Sequence, residues 1–182
     1  MEKVGIIAGT GFYSLPALAG KSAREVNTKY GIALVTSGEW NGVPIEFVTR
    51  HGKDHTIPPN KVNYRANIQA LKDLGVNKVL ALTAVGGVDP NLKPGDFQII
   101  TDFLDFTSGR ESTFFDGVQP DGVQHVDVVE AYDKEFGRVI TEAGKELGID
   151  IKQDGIYAGF NGPRFETPAE IRMVRLAGAT VV

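Results

Sequence analysis

Residues 32–51, IALVTSGEWNGVPIEFVTRH, place two strand-forming runs, 32–39 and 43–49, on either side of Asn41-Gly42. Asn-Gly suits the left-handed backbone of a two-residue hairpin turn, so the stretch predicts an antiparallel hairpin. Its second strand ends at Arg50 and His51. These open the segment 50–65, RHGKDHTIPPNKVNYR, which holds two histidines, two arginines and two lysines in a chain of formal charge −4. The cationic loop therefore begins where a strand stops.

Upstream, residues 4–8 form a short apolar run closed by Gly9-Thr10-Gly11, a pattern that predicts a buried first strand. Downstream, Asn60 after Pro58-Pro59 is expected to cap a helix with Tyr64, Ile68 and Leu71 on one face and Gly75 as its stop. Residues 78–85 read as a continuous apolar strand of the kind buried on both faces, running into Gly86-Gly87. A further strand is expected at 97–103, and 104–132 as an irregular segment long enough to serve function or a subunit contact. A helix over 133–147 stops at Gly148, and 155–160 reads as strand. Thr167-Pro168-Ala169-Glu170 is a capping box with proline at the first helical position, opening a helix that Gly178 ends. Residues 179–182 begin another apolar, β-branched run. This alternation predicts a single α/β domain, a sandwich with a largely parallel or mixed sheet.

At 182 residues, 42% hydrophobic and 23% charged, the composition is that of a globular domain. The net negative charge argues against wholesale nucleic-acid binding, so any anion site must be local. The absence of cysteine removes disulfides, thiolate zinc sites and a cysteine nucleophile. The apolar stretch after Lys3 is too short for a signal-peptide core or a membrane span, and the expected compartment is the cytoplasm.

Three strand ends carry related chemistry. Gly9-Thr10-Gly11 offers backbone N–H groups and a hydroxyl, Arg50-His51 a guanidinium and a titratable ring, and Thr83-Ala84 a hydroxyl and open amides. Read alone, each is equally a tight turn or an ordinary solvated loop. Ligands of open α/β sheets sit beyond the carboxyl ends of strands, so together the three could converge on one small oxyanion such as phosphate. His51 and His55 stand four apart in a proline-flanked loop rather than on a helix, so no metal is expected. Residues 159–167, GFNGPRFET, form a strand-to-helix loop shaped by Gly162 and Pro163. There Phe165 is a core anchor or a stacking face, and Glu166 a carboxylate suited to a heterocycle with N–H donors.

AGTGF, TRHGKDHTIPPNKVNYRANIQAL, LTAVGGV, PGDFQIITDFLDFT and FNGPRFETPAEIRM, in that order, resemble the trimeric class of purine nucleoside phosphorylases. The resemblance covers essentially the whole chain. It is closest to the branch of S-methyl-5'-thioadenosine and S-methyl-5'-thioinosine phosphorylases. It implies a pentosyltransferase of purine and methionine salvage that uses inorganic phosphate as co-substrate and no cofactor. The reaction yields free purine and 5-methylthioribose 1-phosphate. By position, Thr10, Arg50, His51, Thr83 and Ala84 would hold phosphate, with Arg50 and His51 acting at the reacting anion. Phe165 would lie against the purine and Glu166 would tune base choice, its Phe-Glu-Thr setting resembling members that favour 6-oxopurines. His55, and His125 reaching from a neighbouring subunit of a trimer, would line the methylthio pocket.

Where the resembled family continues with a strand and a base-binding acidic or amide residue, this sequence stops at Val182. The expectation is a nucleoside-phosphorylase-like sandwich, its central mixed sheet flanked by helices, without the last strands and C-terminal helices, and with severely reduced or absent turnover. The alternative is a catalytically impaired relative that binds flat aromatic molecules in the opened purine pocket.

Overall fold

The computed structural model describes residues 2–12, 14–118, 120 and 122–182, with Lys53 described by its backbone alone. The hairpin forms as its sequence dictates. Strands β3 (Gly31–Trp40) and β4 (Val43–Thr49) pair antiparallel with Trp40 opposite Val43. Asn41 and Gly42 take φ of 50° and 79°, the left-handed pair that this turn needs.

β4 then pairs in parallel with β1 (Val4–Ala8), and β1 in parallel with β5 (Lys78–Leu82). Ala8 stands opposite both Thr49 and Leu82, so three strands end level with one another. An additional strand, β2 (Ala19–Thr28), lies antiparallel to β3 and gives a mixed sheet in the order β2-β3-β4-β1-β5. The sequence reading had no strand there. β2 is an edge strand whose residues are nearly all exposed, so it lacks the burial alternation by which strands are recognised.

Two other expectations are corrected. The helix α1 (Tyr64–Asp73) is capped by Asn63, whose side chain accepts from the Ala66 amide, while Asn60 falls in a short 3-10 turn before it. Tyr64 and Ile68 are 38% and 40% exposed, and Ala66, Ala70 and Leu71 are the buried face, packed on Ala33, Val35 and Val48. β5 stops at Leu82 and is not buried on both faces, since Val79 is 40% exposed. On the opposite face of the sheet, Ile6, Ala8, Ile45 and Phe47 enclose Leu18. Glu46 of β4 is 3% exposed and lies against Lys3 and Arg24, with the Ser37 hydroxyl donating to it at 2.6 Å.

The contacts divide the chain into two compact units, Met1–Ala84 with Glu111–Phe114, and Val85–Arg110 with Phe115–Val182. In the first, residues 111–114 are gripped by Arg65, which pairs with Glu111 and donates to the Thr113 carbonyl, and by Tyr30, edge-on to Phe114. In the second, β6 (Phe97–Asp105) and β7 (Ile151–Gly159) pair in parallel, joined by α2 (Lys134–Glu146). Asp133 caps α2, and Gly148 at φ 69° lets the chain leave it. α3 (Pro168–Leu176) starts at the expected capping box. After it, Val181 bridges both Tyr157 and Gly87, and Val88, Ala158, Val174 and Ala179 form the core beneath. No helix among the described residues is long and apolar enough to cross a membrane. The fold is α/β, a mixed sheet with helices, as the alternation of elements predicts.

Candidate functional site

Because β1, β4 and β5 run parallel and end level, the residues after them share one end of the sheet. Gly9 and Arg50 continue the ladder, Gly9 N–H donating to the Leu82 carbonyl at 3.1 Å and Arg50 N–H to the Ala8 carbonyl at 3.0 Å. The Arg50 side chain then crosses this end. Its Nη2 donates to Thr83 Oγ1 at 2.7 Å and its Nε to His51 Nε2 at 3.2 Å.

That path exists because residue 9 has no side chain: a Cβ there would sit 2.5 Å from Arg50 Nη2. Gly9 thus makes room for the candidate arginine, a role the sequence reading missed. The Gly-Thr-Gly turn suggested amides for an anion, and nothing in the sequence reports that its first glycine makes room for a guanidinium. Thr10 lies exposed in the turn that follows, and Ala84 is exposed just past Thr83.

His51 is 5% exposed. Its Nδ1 lies 2.9 Å from the Ile57 carbonyl, and a carbonyl only accepts, so the partners assign the ring proton to Nδ1. Nε2 then presents its lone pair to Arg50 Nε–H. Both ring nitrogens are used within the protein, and the neutral ring holds Arg50 in place. Burial is the main cause that lowers the His51 pKa from its ordinary 6.5; the Ile57 bond opposes it, and the charges of Arg50 and His55 add to the lowering. His55 is exposed, and its ring centroid stands 4.7 Å from that of His51. The turn that folds them together needs Gly52 at φ 73°, where a Cβ would also press on Thr56 and Ile57.

The partners of Arg50 are neutral, and among the described residues it makes no ion pair with a carboxylate. A half-buried guanidinium bonded to a hydroxyl and an imidazole keeps its charge uncompensated, which is the condition for taking up an anion.

The remaining candidates belong to the second unit. Phe165 is 92% exposed, Glu166 is half-buried beside it, and His125 lies exposed in the irregular segment before α2. The loop bearing Phe165 is tied at its start by the stacked rings of Phe106 and Phe160, 5.2 Å apart, and by Asn161, whose amide donates to the Ser108 carbonyl and accepts from its N–H. At its end, Arg164 forks onto Glu170 at 2.8 and 2.7 Å, and Glu170 also accepts from the Thr167 amide at 2.7 Å. The Arg164 hydrogen bond is the leading cause that brings the Glu170 carboxyl down to about 2. Among the described residues no three His, Asp or Glu side chains gather where a metal ion could sit.

Comparison with known proteins agrees over the whole chain. The phosphorylase superfamily model matches residues 3–182. A probable 6-oxopurine nucleoside phosphorylase of Moorella thermoacetica is 49% identical over 99% of this chain and 69% of its own length. The S-methyl-5'-thioadenosine phosphorylase of Pyrococcus furiosus is 44% identical over 96% of this chain and 67% of its own length. Among solved structures, methylthioadenosine phosphorylase from Schistosoma mansoni in complex with adenine superposes with a TM-score of 0.93 at 33% identity, covering 100% of this chain and 73% of that one.

Proposed function

This chain belongs to the phosphorylase superfamily, and from that premise we propose that it phosphorolyses a purine nucleoside, with a 5'-methylthio sugar and a 6-oxopurine as the preferred combination. The observation that carries the reading is Arg50, a guanidinium held by Thr83 and His51 with its charge uncompensated at the level ends of three parallel strands. The named relatives divide between 6-oxopurine nucleosides and methylthioadenosine, and methylthioinosine unites the two chemistries.

In this reading Arg50, with Thr10, Thr83 and the amide of Ala84, binds phosphate, and His51 orients Arg50. A phosphate oxygen attacks the anomeric carbon as the bond to the purine nitrogen breaks and its electron pair stays on the base, giving pentose 1-phosphate and a purine anion that takes a proton from water. The bound dianion stabilises the developing oxocarbenium charge and is already aligned as nucleophile. Phe165 lies against the purine, Glu166 meets its polar edge, and His55 with His125 of a neighbouring subunit lines the methylthio pocket of a trimer. Such an enzyme serves purine and methionine salvage in the cytoplasm and needs no cofactor beyond phosphate.

The test is chromatographic detection of free base from methylthioinosine, methylthioadenosine and inosine, each with and without phosphate. Phosphate-dependent release of hypoxanthine, fastest from methylthioinosine, is expected, and no base from any of them sinks the reading. A second reading, binding of flat aromatic molecules without chemistry, is favoured by the 92% exposure of Phe165. It requires Phe165→Ala to weaken purine binding in a chain that releases no base.

A further inference from the structure

We propose that Arg164 is a positioning residue, fixing through Glu170 the loop that presents Phe165 and Glu166, so that a side chain outside the purine face sets how well that face binds. The proposal rests on the reading of Phe165 as the purine wall. It deepens that reading by naming what holds the wall in place.

A phenylalanine 92% exposed has almost no packing of its own to fix its direction, so its backbone must do so. The carbonyl of Phe165 accepts from Arg164 Nη1 at 3.0 Å. The same guanidinium reaches Glu170 through both terminal nitrogens, Nη1 to Oε2 and Nη2 to Oε1. Oε2 also accepts from the Thr167 amide, and the Thr167 hydroxyl accepts from the Glu170 amide. A continuous path of hydrogen bonds therefore runs from the Phe165 carbonyl through Arg164 to the first turn of α3, whose Val174 is wholly buried.

An isolated exposed ion pair adds little to stability. This one differs in kind, because a planar fork holds the two carboxylate oxygens on two separate nitrogens while Nη1 also donates to the Phe165 carbonyl, a spacing that the single nitrogen of lysine does not reproduce. With the Arg164 side chain 65% exposed, its loss should leave the fold standing while freeing the loop. The Glu170 carboxyl, held at about 2, stays ionised at every pH at which such a protein would be assayed, so the clamp is permanent and not a pH switch.

The experiment compares the full chain with Arg164→Met, Arg164→Lys and Glu170→Gln. The single tryptophan, Trp40, is replaced by Phe, and Phe165→Trp supplies a reporter whose time-resolved fluorescence anisotropy reads the motion of the loop. In parallel, without the reporter, hypoxanthine and inorganic phosphate affinities are measured by calorimetry. The expected result is a faster-reorienting indole in both Arg164 variants, hypoxanthine affinity lowered about tenfold to a hundredfold, and phosphate affinity and melting temperature unchanged. An indole as restrained in Arg164→Met as in its parent overturns the proposal, and so does full rescue by lysine. Loss of base and phosphate affinity together with a lower melting temperature overturns it as well. If the indole is freed but no chain binds hypoxanthine, Arg164 does position the loop and it is the nucleoside reading that falls.

Discussion

Arg50 and Arg164 each follow a strand and precede a helix, yet among the described residues the Arg50 side chain bonds Thr83 and His51, whereas Arg164 is clasped by the carboxylate of Glu170. The first arginine is half-buried among neutral partners, and in the proposed function its charge serves the phosphate. The second is exposed and has its charge cancelled within the chain. Residue type and loop context are alike, so it is the partners that separate the arginine proposed to bind from the arginine that builds.

Substitution at the two positions gives the sharpest test of this contrast. Arg50→Met removes charge-assisted hydrogen bonds worth about 1.5–3 kcal/mol each, so phosphate binding should weaken on the order of a hundredfold in calorimetry. Arg164→Met should leave phosphate binding untouched, and equal losses in the two variants would erase the contrast. Next in size is Gly9→Ala. The new methyl group meets the end of the Arg50 side chain at 2.5 Å and swings it away without disturbing the strand, so phosphate affinity should fall about tenfold with the melting temperature unchanged.

The smallest effect is one of pH. The His51 pKa is lowered in the folded protein, so between that value and 6.5 the unfolded chain binds more protons and stability rises with pH. The contribution is complete above 6.5 and is lost as the pH falls through the lowered value. His51→Gln should flatten the melting temperature across that window. Glu170 behaves in the opposite unit at lower pH: its stabilisation, present above 4.5, disappears as the pH falls towards about 2. Melting curves recorded from neutral to acid pH check both, and a His51→Gln profile parallel to the parent would remove His51 from the account.

How far the sequence disclosed this molecule follows the same division between what a residue is and what it meets. The hairpin, the capping box and the glycine stops were legible because each is a local conformational demand of named residues: Asn41-Gly42, Thr167 with Glu170, and Gly148. β2 was not legible, since an edge strand with a row of exposed polar residues carries no burial signal. Nor was the buried face of α1, where the small side chains of Ala66 and Ala70 allow close approach to the sheet and the larger Tyr64 and Ile68 are left outside. At the candidate site, strand ends and residue types singled out Arg50, His51 and Thr83. The room that Gly9 makes, and the Ile57 carbonyl that selects the His51 tautomer, are facts of tertiary approach.

The double bridge made by Val181 bears on how the second unit folds. The first unit is built around hairpins whose partners are near in sequence, so its sheet can start locally. In the second, residues 86–88 exchange hydrogen bonds with 180–182, closing a loop that spans nearly the whole unit. Loop closure must precede the contacts that reward it, so this part of the chain carries the slower kinetics of distant pairing. Its folding waits on residues 180–182 reaching back to 86–88.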